Sequence, residues 1–77
     1  MDLPIDPLEG RYANLFRIGC NAVEFVIEFG QYFPDAPEQY WMRVITSPIY
    51  AREFLRVLEG AIADYEREFG VIRQMER

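Results

Sequence analysis

The sequence predicts an α+β fold: a three-stranded antiparallel β-meander followed by one long C-terminal α-helix packed on one sheet face (β-β-β-α), completed by oligomerisation. Three observations carry this expectation. Residues 21–31, NAVEFVIEFGQ, alternate Val23, Phe25, Ile27 and Phe29 with Glu24, Val26 and Glu28, which is the period of a strand with one apolar face. Residues 51–69 repeat their apolar side chains at helical spacing behind the start signal Ser47-Pro48. The chain has only 77 residues, and one of that size buries about 60% of its unfolded surface, so a monomer is marginal.

Residues 1–10, MDLPIDPLEG, combine two prolines and three acids with aliphatics that follow no period, and read as an irregular arm. Leu3, Ile5 and Leu8 could dock it on a neighbouring subunit. The single domain runs over residues 11–72, and residues 73–77 read as a frayed tail. The first strand, residues 11–19, sets Tyr12, Asn14, Phe16 and Ile18 on one face and Ala13, Leu15 and Arg17 on the other. Gly19, Cys20 and Asn21 supply its turn, since glycine and asparagine tolerate positive φ.

Register follows from parity. If even positions of the first strand share the core face with odd positions of the second, opposed residue numbers sum to an odd value and the loop holds an even number of residues. A two-residue loop at Cys20 and Asn21 sets Ile18 against Val23, Phe16 against Phe25 and Arg17 against Glu24. A four-residue loop shifts each pair by one step. Residues 32–38, with Pro34, Asp35 and Pro37, read as a connection, and residues 39–46 as the third strand, with Tyr40, Met42 and Val44 facing the core. Opposing Ile27 to Val44 then places Glu28 across from Arg43 and Gly30 across from Trp41.

Ser47 is a favoured N-cap and Pro48 suits the first helical position. From there to Phe69, the side chains of Ala51, Phe54, Leu55, Leu58, Ala61, Ile62, Tyr65 and Phe69 fall in one arc of about 120°, expected to cover the sheet. Arg52, Arg56, Glu59, Glu66 and Arg67 lie opposite, and Gly70 stops the helix. Gly60 costs about 1 kcal/mol relative to alanine and reads as a tolerated residue on the exposed side.

One helix leaves the second sheet face in water, where alternation should be polar. Instead Leu15, Arg17, Glu24, Val26, Glu28, Trp41, Arg43 and Ile45 fall there, four of them apolar and one the sole tryptophan. Apolar positions ringed by Arg and Glu, with an aromatic anchor, read as an interface between copies of this chain. Sheet-face packing and strand-edge pairing are both compatible with it.

Chemistry is harder to find. With no histidine, the commonest general base and every His-dependent triad are excluded. One cysteine and no histidine cannot build a zinc site of the usual kind within one chain, and Cys20 has no partner for an intrachain disulfide. Glu24 and Glu28 stand about 13 Å apart along a strand, too far for a carboxylate dyad. No phosphate loop, nucleotide fingerprint or cation loop occurs, so no catalytic, cofactor-binding or metal residue is assigned and no cofactor is expected.

Eight arginines, no lysine and thirteen acids give a net charge of -5, which disfavours nucleic acid and anionic membranes as partners. Arg11, Arg17 and Arg43 with Tyr12, Phe16 and Trp41 resemble a strip for single-stranded nucleic acid, but alternation parts the aromatics Tyr12 and Phe16 from Arg17. No apolar run approaches a membrane span and no leader is visible, so a cytoplasmic location is expected.

The segments RYANLFRIGCNAVEFVIEFGQ and RVITSPIYAREFLRVLEGAIADYEREFG, joined by the proline-containing loop, resemble a family of small bacterial and archaeal proteins known as domain of unknown function 3467. The similarity runs from about Arg11 to Ile72. Its most specific pieces are Tyr12-Ala13-Asn14, EFVIEFGQ, RVITSP, and the closing Tyr65-Glu66 and Phe69-Gly70. The resemblance implies a β-β-β-α unit and supplies no activity or catalytic residue. The expected function is therefore a non-catalytic, self-associating structural or adaptor module, with itself and an unidentified protein as partners. The alternative is a chaperone-like or peptide-binding module that uses the exposed sheet face or a strand edge.

Overall fold

The structure is a computed structural model that describes residues 8–76. They form β1 (Leu15–Cys20), β2 (Phe25–Phe33), β3 (Ala36–Thr46) and α1 (Pro48–Phe69). The strands make one antiparallel sheet in the order β1-β2-β3, so the stretch with the strongest alternation is central. The chain has the expected β-β-β-α fold.

The first hairpin keeps the expected parity but not the expected partners. Ile18 faces Ile27, Phe16 faces Phe29 and Arg17 faces Glu28, two steps beyond the pairs a loop at Cys20 and Asn21 would give. The loop holds the four residues 21–24 because Asn21 closes it from within. Its Oδ1 accepts from Val23 N and Glu24 N, each at 2.9 Å, and its own N–H donates to the Glu24 carbonyl. No described residue other than glycine has positive φ, so Asn21 serves as a hydrogen-bond acceptor rather than as a residue of unusual backbone. At the other end Asn14 prolongs β1 with its side chain: Oδ1 accepts from Tyr32 N at 2.8 Å and Nδ2 donates to Tyr32 O at 3.1 Å.

The expected connection over residues 32–38 shrinks to a turn at Pro34 and Asp35, with Phe33 opposite Ala36. Pro37 is accommodated because β3 lies at an edge, where one flank of the strand needs no partner. Further along, Ile27 faces Val44 and Glu28 faces Arg43 as expected, but Gly30 faces Tyr40 instead of Trp41. An extra residue on β3 between the pairs Phe29–Met42 and Gly30–Tyr40 makes a bulge that changes the face of Tyr40 and Gln39, and a second irregularity follows between Gln31 and Phe33.

The helix has the expected bounds. Ser47 caps it by accepting from Tyr50 N, Pro48 occupies its first turn, and Gly70 ends it with φ 99° while its N–H donates to Glu66 O. Its first turns lie beside the expected sheet face, where Tyr50 and Phe54 border an open apolar hollow with Ile27, Phe29 and Val44, and Ala51 and Leu55 border another with Phe25. The large apolar side chains of the arc remain exposed along its whole length, Phe54 and Leu55 as much as Leu58 and Ile62. The cause lies in the connection. Only Ser47 separates β3 from α1, its backbone is extended (φ -88°, ψ 163°), and a residue before proline is held out of the helical region. The radius of gyration, 14.8 Å, exceeds the roughly 11 Å of a compact chain of this length.

Of the expected terminal segments, residues 1–7, with Leu3 and Ile5, lie outside the described residues. Leu8 is exposed, and residues 73–76 carry no regular structure.

Candidate interface

The sheet's two faces differ in character. The face toward the helix, here the inner face, carries Phe16, Ile18, Phe25, Ile27, Phe29, Met42 and Val44, fixed there by the strand pairing. Phe16 and Phe29 meet edge to face across the strands, ring centroids 5.7 Å apart. Ile27, at 7% exposure, is the single apolar side chain buried among the described residues. Phe16 remains 58% exposed and Ile18 63%. The inner face is thus apolar and largely uncovered.

The outer face is organised by charge. Glu28, 8% exposed at the centre of β2, accepts Nε of Arg17 from β1 on one carboxylate oxygen and Nε of Arg43 from β3 on the other at 2.7 Å. These bonds, Arg17 first, hold the Glu28 carboxyl below its ordinary value against a smaller opposing effect of burial. Two guanidiniums thereby satisfy the Glu28 carboxylate from both neighbouring strands. The Arg17 guanidinium also lies 3.9 Å from the centre of the Tyr40 ring.

Of the eight residues expected to form the interface, Arg17, Val26, Glu28, Arg43 and Ile45 come together around one shallow hollow on this outer face. Leu15 is half-buried on the same face, opposite Gly30. Glu24 lies in the hairpin loop and is not opposite Arg17. Trp41 is on the inner face, where it borders a hollow with Phe16, Phe29 and Met42, and Arg11 stacks 4.2 Å from its ring centre. The bulge exchanged Trp41 for Tyr40, so the outer face loses its expected anchor and the inner face gains one. Trp41 Nε1 is buried without a hydrogen-bond partner among the described residues. The signal for the exchange was Gly30, because an isolated glycine inside a strand pattern marks a bulge or a close backbone approach.

Among the described residues no group of three or more His, Cys, Asp or Glu side chains is placed to hold a metal ion. Cys20 is an exposed free thiol at the end of β1. No helix among the described residues is long and apolar enough to cross a membrane.

An open three-stranded sheet with a trailing helix, one face apolar and the other clamped by an Arg-Glu-Arg cluster, defines a small β-β-β-α module. Residues 2–74 match the family described as protein of unknown function (DUF3467), and the chain belongs to that family. Comparison with curated proteins and with solved structures found no match.

Proposed function

We propose that the chain is a non-catalytic, self-associating module with a structural or adaptor role in protein–protein interaction. The observation that carries this reading is the size of the core: Ile27 alone is both apolar and buried among the described residues. One side chain contributes roughly 1.5–3 kcal/mol by burial, far below the conformational entropy of ordering a sheet and a helix. With half-buried side chains such as Phe25, Val26 and Phe29 as the rest of the core, this supports a cover supplied by a second chain. Neither a histidine nor a second cysteine is available for the common catalytic and metal-based alternatives. The exposed lone thiol of Cys20 is compatible with a reducing compartment, which supports a cytoplasmic reading.

The test is sedimentation equilibrium at micromolar chain concentration. A folded assembly of two or more chains is expected. A folded monomer with native far-UV circular dichroism overturns the proposal.

A second reading, strand capture from a peptide, has one observation in its favour: β3 is eleven residues long and its outer edge is unpaired. It requires a folded monomer that gains a peptide strand, so the same sedimentation experiment separates the two.

A further inference from the structure

Resting on the reading of the chain as self-associating, we propose that two copies dock by reciprocal exchange of α1, the apolar arc of each helix lying across the inner sheet face of the other chain. The connection brings only the first turns of the helix to its own sheet and leaves the rest of the arc without a seat. Covering that sheet in cis requires a reversal of chain direction between Thr46 and Pro48. Ser47 is the only residue there, and proline after it confines it to the extended conformation it adopts. Short hinges of this kind favour exchange of an element between copies.

The two unpartnered surfaces also fit each other. The arc offers Leu58, Ile62, Tyr65 and Phe69, all exposed, and the inner face offers Phe16, Ile18, Met42 and Val44, also exposed. The arc from Leu58 to Phe69 spans about 18 Å and the nine residues of β2 about 30 Å, so the free part of one helix covers over half of the central strand. Because each chain carries one donor helix and one acceptor sheet, a two-fold axis satisfies both at once and closes the assembly at two chains.

The area is adequate. The accessible surface is 7478 Å², against about 4,900 Å² for a compact monomer of the same mass. Part of that surplus belongs to the chain ends, where Leu8, Val71 and Met75 are the most exposed apolar residues. Helix and sheet faces share the remainder, and obligate dimers bury on the order of 1,000 Å² or more per chain.

The test uses the full chain. Leu58→Arg on the helix and Met42→Arg on the sheet alter side chains exposed in the single chain, so neither disturbs strand pairing directly. Both are compared with the wild type by circular dichroism and sedimentation over a dilution series that starts where the chains are assembled. Each is expected to raise the dimer dissociation constant at least thirtyfold, roughly the loss at an interface anchor. Mixed together, the two variants share one unaltered seat while the reciprocal seat carries both arginines, so a one-to-one heterodimer weaker than the wild type but tighter than either variant alone is expected. Lengthening the hinge with Gly-Ser-Gly-Ser-Gly-Ser between Ser47 and Pro48 should yield a folded monomer whose helix reaches its own sheet. A dimer whose dissociation constant is unchanged by Leu58→Arg, by Met42→Arg or by the longer hinge overturns the exchange while self-association stands. A wild-type monomer overturns both.

Discussion

Gly30 faces Tyr40 with no room between their backbones. A Cβ at Gly30 would stand 2.9 Å from Tyr40 Cα and nearer still to the Gln39 carbonyl oxygen. This closeness is the geometry of the bulge, and the bulge is what places Trp41 on the inner face and Tyr40 on the outer.

Gly30→Ala should therefore destabilise the sheet by about 1–3 kcal/mol, the cost of forcing extra atoms into a filled position. The obstacle is backbone, so no rotamer change relieves it. The expected result is a lower denaturant midpoint at fixed chain concentration and an altered emission of Trp41, the sole tryptophan. An unchanged midpoint would mean that the bulge can move along β3.

Glu28 makes stability depend on acid. Its folded pKa lies below its ordinary value of 4.5 because Arg17 and Arg43 bond its ionised form. The contribution is therefore fully present above about pH 4.5 and is lost as pH falls through the lower folded value. Glu28→Gln should lower the denaturation midpoint at neutral pH, and its difference from the wild type should shrink below pH 4.5. A difference that stayed constant from pH 7 to pH 3 would show that the ion pairs contribute nothing to it.

Asn14 and Asn21 tie the two ends of the first hairpin by two side-chain bonds each. At a net 0.5–1.5 kcal/mol per bond, reduced by exposure to water, Asn14→Ala and Asn21→Ala should each cost about 1 kcal/mol. They share no partner, so the double substitution should be additive within about 0.5 kcal/mol. Chevron or equilibrium denaturation of the three variants checks this.

These asparagines also show where sequence reading reached its limit. The helix was legible because Ser47, Pro48 and Gly70 each carry a local backbone preference, and Glu28 opposite Arg43 because charge and parity agreed. Parity alone permits any even loop, and the choice of four residues rests on hydrogen bonds made by Asn21 inside the loop. The faces of Tyr40 and Trp41 depended on a bulge, which shifts alternation by one and defeats any periodic argument beyond it. The arc of α1 was legible as apolar, yet its direction was set by Ser47, a single residue that carries no hydrophobic signal.

That direction has a thermal consequence. If α1 finds its seat on a second chain, helix and sheet must unfold together with dissociation. Ellipticity at 222 nm and Trp41 fluorescence should then give one coincident transition whose midpoint rises with chain concentration. A tenfold increase in concentration is worth about 1.4 kcal/mol, which for a unit of two such chains corresponds to a rise of roughly 3–6 °C. The single-chain alternative behaves differently. A helix seated only through Tyr50, Ala51, Phe54 and Leu55 should fray early and independently, giving an ellipticity loss that precedes the fluorescence change at every concentration.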